Sequence, residues 1–463
     1  MRGCLLVVVA CAASFAQTID VGRDLQLFLD DRVVESQERV QTVLHSPRPA
    51  EVVIRLDRPY EDDTLYDPTV IKDGDRYRMW YRANFNGPPS YTGYAESADG
   101  VRWTKPNLGI IPIGGSAANN VVWGGPGSTI SVFKDANPAT RAGELYKGTA
   151  LVNRLPNGRA GLYGMVSPDG LHWRLLQPDP ILVAPADDPM LDSHNIVLWD
   201  SARRHYAIYA RGWKRHKVRD VRRFTSTDFR HWTEPKFLDF ADAPVEHLYK
   251  NAAIPYYRRP DLILLFPKRY VPDRRHASVN WPLDGISDVV FAFSYDGLRF
   301  DRRYMEAFLR PGMDEHNWHE RAIEAGPALV PTGPGEMSLY YVEHYRTPGV
   351  QIRRGVLRED GFVSLKAPYR GGIVRTKPIR FAGSRLVLNY STSAAGSIRI
   401  AIEDAAGQPI RGFGAEECPE IFGDDVNHTV RWKTGPDVSS LAGKPVRLRF
   451  EMRDADLYSF RFD

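Results

Sequence analysis

The stretch SADGVRW at 97–103 has close variants further along: SPDGLHW (167–173), STDFRHW (226–232), SYDGLRF (294–300) and the more worn REDGFVS (358–364). Their aspartates fall at Asp99, Asp169, Asp228, Asp296 and Asp360, so successive copies stand 70, 59, 68 and 64 residues apart. Asp followed by Gly is tight-turn chemistry: the carboxylate accepts neighbouring N–H groups and glycine takes backbone angles other residues avoid. Around the first copy, DPTVIKDG (67–74), RYRMWYRA (76–83) and YTGYAES (91–97) are short, alternating and rich in aromatic and β-branched residues, as half-buried strands are. VRW then reads as the start of a returning strand, with its Trp packed against the sheet. SHNIVLWD (193–200), KNAAIPYY (250–257), HYAIYARGW (205–213), DLILLFPKRY (261–270) and MSLYYVEHY (337–345) fill matching slots later on. Three or four antiparallel strands per repeat of roughly 65 residues read as the blades of an all-β, five-bladed β-propeller. A long β-sandwich would not explain a turn motif recurring at one spacing.

The chain has 463 residues, 43% of them apolar, with 61 basic and 57 acidic residues and a formal charge of +4. That near balance gives no reason to expect nucleic acid as a partner, and no apolar run is long enough to span a membrane beyond the extreme N-terminus. There, Arg2, the apolar run Leu5 to Ala13 and Ser14-Phe15-Ala16 before Gln17 read as a secretory signal peptide over 1–16, which implies a secreted or periplasmic protein. A lipobox ending at Cys11 is the alternative. Cys4 and Cys11 both lie in this segment, so Cys418 alone remains and thiol catalysis is not expected.

After about residue 367 the blade motif disappears. VRTKPIRFAGSRLVLNYSTS, GSIRIAIEDAAGQPI, HTVRWKT and PVRLRFEMRDADLYSFRF read as an antiparallel β-sandwich. The expected division is a propeller over 17–366 and an accessory sandwich over 367–463. Segment 19–50, with LQLFLDDRVVES, is expected to supply a strand that closes the ring.

In a propeller the innermost strands line one funnel, so residues just before them converge. Asp67 in LYDPTV, Asp192 in LDSHNIVLW and Glu246 in VEHLYKNAAIPY stand at that station in three repeats. Cleaving a glycosidic bond takes this kind of set, with one carboxylate ionised and another protonated, and a third charge nearby to raise the acid. Separately, each reads as a turn cap, a strand-end anchor or a salt-bridged rim residue.

The turns resemble the sialidase Asp box, shortened by one residue between Asp and Gly, and their aspartates are structural. The chain as a whole resembles the five-bladed propeller glycosidases, most closely glycoside hydrolase family 32, with the related family 43. DPTVIKDGDRYRMWYRA resembles that family's N-D-P-N-G segment, LDSHNIVLWD its R-D-P segment and VEHLYKN its E-C segment. Tyr66, Thr69, Val70, Leu191, Ser193 and His247 depart from those motifs. The resemblance implies Asp67 as nucleophile or base, Asp192 as transition-state stabiliser and Glu246 as acid.

Tyr66, His194, His247, Lys250, Trp318 and Glu320 are expected to line the sugar site. DEHNWHERAIEAG (314–326) offers Glu320 and Glu324 as alternative acids. Its histidine spacing is not H-E-x-x-H and no second cluster accompanies it, so neither metal nor cofactor is expected. The basic run RGWKRHKVRDVRR (211–223) reads as a solvated loop or, functionally, as a positive rim favouring acidic or sulfated polysaccharide. The function expected is a secreted glycoside hydrolase acting on an oligo- or polysaccharide. The rivals are a non-catalytic carbohydrate-binding propeller and a glycoside phosphorylase, the latter requiring Arg or Lys inside the funnel.

Overall fold

The computed structural model describes residues 18–463 apart from 86–89, 189, 193 and 215–217. The segment read as a signal peptide, with Cys4 and Cys11, lies outside the described residues. Regular structure among the described residues is β-strand, with three short 3₁₀ turns and no α-helix. The chain divides into two compact units. Leu44–Glu359 form one, and the described residues up to Val43 join Asp360–Asp463 in the other.

The larger unit is a succession of antiparallel sheets, the first three made from strands consecutive in sequence. The first comprises Tyr66–Asp73, Arg76–Arg82, Thr92–Ser97 and Val121–Trp123. The second is built on Ser128–Lys134, Tyr146–Val152 and Gly161–Ser167. The third joins Ile196–Asp200, His205–Lys214, Val218–Ser226 and Lys236–Phe237. Two three-stranded sheets follow, His247–Lys250 with Lys268–Val271 and Ile286–Val289, and Ile254–Tyr256 with Arg259–Leu265 and Ala292–Ser294. Each strand of one lies next in sequence to a strand of the other, across a break of two or three residues. The last sheet is Glu324–Gly333, Glu336–Glu343 and Gln351–Arg358, completed by Arg48–Arg55 from the start of the unit. One apolar cavity is lined from five of these sheets by their first strands, through Ile71, Val132, Leu198, Ile254 and Leu329.

Four of the five turn copies work as the sequence indicates. In the first, Asp99 Oδ1 accepts the backbone N–H groups of Val101 and Arg102, both at 2.8 Å, while Ser97 Oγ accepts that of Gly100. Asp169, Asp228 and Asp296 repeat the pattern. The turns also tie sheet to sheet. Trp80 Nε1 in the first sheet donates to Gly170 O of the second at 2.8 Å, and Tyr209 in the third donates to Gly297 O. Tyr340 of the last sheet donates to Gly100 O of the first. These three aromatic residues are fully buried, and each contributes about 2–3 kcal/mol by burial.

Several sequence expectations need correction. Residues 101–103 are part of the turn, and the fourth strand of that sheet comes later, at Val121–Trp123. The fifth copy has Arg358 in place of the capping Ser. Its Asp360 falls in the smaller unit, where it accepts a hydrogen bond from Ser459 Oγ at 2.9 Å. The basic run is mostly paired strand: Tyr206 to Lys214 pair with Val218 to Ser226. LQLFLDDRVVES contributes to the smaller unit, and it is the end of segment 19–50 that joins the last sheet, in the strand Arg48–Arg55.

In the smaller unit two long strands, Leu386–Asp404 and Val446–Phe462, pair from Leu386↔Phe462 to Asp404↔Val446 and shift register between Thr392 and Ser397. Phe381 stacks on Phe462 with ring centroids 3.8 Å apart, within a core that includes Phe28, Trp432 and the buried Cys418. The pairing is not wholly antiparallel, because Ile19–Gly22 runs parallel to Ile379–Phe381.

Candidate active site

Asp67 lies where the pairing of the first two strands skips from Tyr66 to Thr69. The irregularity lets it take φ 54°, in the left-handed region that residues with a side chain rarely occupy. Asp192, on the approach to Ile196–Asp200, also has φ 54°. Backbone strain of this kind is kept where the surroundings over-determine it, and functional sites are the usual place.

Asp67 is fully buried. Its Oδ1 accepts a hydrogen bond from Lys250 Nζ, and Arg82 Nη1 stands 3.6 Å from Oδ2. Lys250 also donates to Glu324 Oε1 at 2.8 Å, and Lys268 Nζ is 2.9 Å from Glu324 Oε2. Two buried carboxylates and three buried cations therefore form one network around the ring of Tyr66. The Lys250, Lys268 and Arg82 charges lie 3.5, 4.7 and 4.9 Å from its centroid, and Tyr345 stacks on it at 4.1 Å.

This setting separates the carboxyls. Burial would raise Asp67, but Lys250 and Arg82 outweigh it and hold the group well below the usual carboxylate range. At Glu324 burial prevails and the pKa is raised, even with Lys250 and Lys268 alongside. Burial likewise pushes His194 down to about 4, against the attraction of Asp67, so this imidazole is neutral at pH 7.

Next to the network lies a pocket whose lining includes Tyr66, Arg82, Asp192, Tyr249, Lys250, Arg321, Tyr345 and Arg346. Asp192 presents a partly exposed carboxylate (31%) that accepts from Arg211. Arg219, Lys268, Arg211 and Arg321 surround Tyr249, their charges 4.7 to 5.8 Å from its ring. Glu320 pairs with Arg321 and lies 4.0 Å from Arg346. Four cations and one carboxylate among the lining residues make this a positive pocket.

The residues singled out in the sequence divide into two groups. Tyr66, Asp67, Asp192, His194, Lys250 and Glu320 belong to the pocket or the network beside it. Glu246 is not among the lining residues; its oxygens face Arg302 and, at 3.5 Å, Arg269. His247 Nδ1 accepts the backbone N–H of Arg219 at 3.3 Å, with its ring edge-on to Tyr270. Trp318 donates to Gly312 O at 2.7 Å and lines a different pocket with Arg269 and Arg310. Arg82, Arg321, Arg346, Tyr249 and Tyr345 escaped sequence reasoning. The signal available for Arg82 was an arginine following the buried aromatics of RYRMWYR.

No protein-family profile matches the sequence, and no curated protein matches it. The solved structures with which the chain aligns include glycoside hydrolases. One glycoside hydrolase is 14% identical over 68% of this chain and 92% of its own, with a TM-score of 0.47. The Bombyx mori GH32 β-fructofuranosidase is 11% identical over 91% of this chain and 94% of its own, with a TM-score of 0.43. A member of the GH130 family, described as mannoside phosphorylases and as hydrolases of β-1,2 mannosidic linkages in Candida mannan, is 17% identical. It aligns over 71% of this chain and 96% of its own, with a TM-score of 0.41.

Proposed function

We propose that the protein is an exported enzyme that cleaves a glycosidic bond in the pocket at Tyr66, Asp192 and Tyr249. The observation that carries this reading is the pair Asp67 and Asp192. They come from different sheets and share the same unusual backbone. One lines the pocket, and the other is bound to Lys250 in its wall. In this reading the larger unit is a five-bladed propeller, with the two three-stranded sheets as halves of one blade. A cavity lined by first strands from five sheets supports that count. The smaller unit is the accessory sandwich, and residues 1–16 direct export.

Asp192 meets the sugar and stabilises positive charge as it builds at the anomeric carbon. Asp67, held ionised behind the wall, fixes the Lys250 ammonium at the pocket through their hydrogen bond, so that Lys250 can bind a sugar hydroxyl or the attacking group. We assign the acid to Glu324 rather than Glu246, because burial raises its pKa and it is bonded to Lys250 of the pocket wall, whereas Glu246 is not among the lining residues. The positive lining suits a carbohydrate bearing acidic groups. It also favours a second reading, in which inorganic phosphate replaces water as the attacking group at Arg82, Lys250, Arg321 and Arg346.

The test is turnover of aryl glycosides and of neutral and acidic oligosaccharides, with and without inorganic phosphate. Asp192→Asn is expected to lower kcat about 10²–10³-fold with folding intact. Glu324→Gln is expected to harm poor leaving groups most. In the wild type, activity should fall as pH rises through the raised Glu324 pKa, and this limb should vanish in the variant. Sugar 1-phosphate formed only with phosphate would establish the second reading. Sugar binding without turnover on any substrate would leave a binding module.

A further inference from the structure

A separate cluster in the larger unit has the makings of a metal centre. Asp314, His316 and His344 bring three ligand atoms within 4.8 Å of one another. Asp314 Oδ2 lies 2.7 Å from His344 Nε2, and Asp314 Oδ1 lies 3.1 Å from His316 Nδ1. Two of the three come from the turn opening DEHNWHERAIEAG, where Asp314 also caps the backbone N–H of His316. The third arrives 28 residues later, at the end of Glu336–Glu343, which is why spacing alone gave no metal motif.

The hydrogen bonding of His344 is the informative feature. Its Nδ1 is 3.1 Å from the carbonyl oxygen of Gly349, which can only accept, so the ring proton sits on Nδ1. The Nε2 lone pair then faces the Asp314 carboxylate, another acceptor, at hydrogen-bonding distance. Such a contact is satisfied by a hydrogen on Nε2 or by a metal ion shared between the two atoms. An Nδ1–H anchored on a backbone carbonyl with Nε2 directed at a carboxylate-bearing site is how metal-bound histidines are generally oriented.

The two segments are also braced together. Buried Asn317 accepts the backbone N–H of His344 at 3.3 Å and donates to Pro311 O at 3.2 Å. His344 has φ 59°, a conformation that aims its ring and that its neighbours must enforce. His344 is largely covered (13%), whereas Asp314 and His316 are open to solvent at 44% and 66%, so an ion has a way in and room for water.

We propose that Asp314, His316 and His344 bind a first-row divalent transition-metal ion of the Zn²⁺ type, leaving at least one coordination position open. Two imidazole nitrogens and one carboxylate favour such an ion over Ca²⁺ or Mg²⁺, which take oxygen ligands. Tetrahedral ligands at about 2.0–2.1 Å stand roughly 3.3 Å apart, so the two measured contacts already approach that spacing. The next residues, Tyr345 and Arg346, line the pocket described above, so the proposed ligand and the pocket wall are consecutive in the chain.

The test uses the full chain, stripped with chelator, dialysed against Zn²⁺ and assayed for bound zinc. Wild type is expected to retain one zinc per chain more than His316→Ala, a variant whose exposed side chain makes it safe for folding. His344→Asn, which tolerates the left-handed backbone, should lose the same equivalent, with affinity falling by more than 10-fold. Ca²⁺ should not compete. Equal zinc content in wild type and His316→Ala, or displacement by Ca²⁺, would overturn the assignment. Absence of bound zinc in the wild type would also overturn it, leaving a hydrogen bond between His344 and Asp314.

Discussion

Lys250 shows how much one side chain decides here. Its ammonium bonds both Asp67 and Glu324, neither of which reaches water. Removing one partner of a buried ion pair costs more than the pair contributes, because a charge is left in a medium that cannot solvate it. Lys250→Met, similar in volume and without charge, is therefore expected to destabilise the larger unit by roughly 3–5 kcal/mol. Urea unfolding would read this as a lowered midpoint at unchanged slope. Asp67 and Lys250 were legible in the sequence because each stands next to an apolar strand at a recurring station. Arg82 was not: its burial depends on Asp67 and on the Tyr345 hydroxyl, 263 residues away, to which it donates at 3.1 Å. Glu324 appeared only as an alternative acid, and the burial that raises its pKa comes from packing that no local pattern records.

At the scale of the element, the turn motif was legible because its hydrogen bonds span only two or three residues. The Asp99 carboxyl is held down at about 2, mainly by the Arg102 N–H and then by that of Val101, against some burial. The folded state therefore binds its proton less readily than the unfolded chain. This contribution to stability is present above about pH 4 and is lost as pH falls toward 2. Asp99→Asn should flatten the loss of stability between pH 4 and 2, which acid titration followed by circular dichroism would show. The third copy breaks the rule instructively. Phe229 stands where glycine is usual, at φ 65°, with its ring 5.1 Å from Tyr206 and 6.0 Å from Phe133. Strain of about 1–2 kcal/mol is tolerated there because the buried ring stabilises by more. At Gly170 the reverse holds. A Cβ there would stand 2.9 Å from the Trp80 indole, at a backbone φ of 79°, so Gly170→Val should lower the melting temperature by disrupting the contact between two sheets.

At the scale of the larger unit, Arg48–Arg55 is the strand that ties the start of the unit to its last sheet, through pairs such as Ile54↔Ile352 and Val52↔Arg353. The sequence placed such a strand within 19–50; the strand begins at the end of that segment, at Arg48, while the strand Val34–Glu38 within it has its partner in the smaller unit. Alternation identifies a strand, whereas its partner is chosen by contacts hundreds of residues away. Ile54 is buried in a core cluster of the larger unit that also holds Ile352 and Val342. Ile54→Asp should release the strand, and hydrogen exchange should then speed up in Gln351–Arg358 well before the other sheets respond.

That pairing also sets a schedule. Arg55 and Gln351 are 296 residues apart, so the ribosome delivers one strand long before the other. At about 5–20 residues per second, the first waits about 15–60 s for its partner. Throughout that interval the nascent chain carries a strand whose final neighbour has not yet been made. The speed of translation, more than the stability of the finished protein, sets how long that edge is open to the wrong partner.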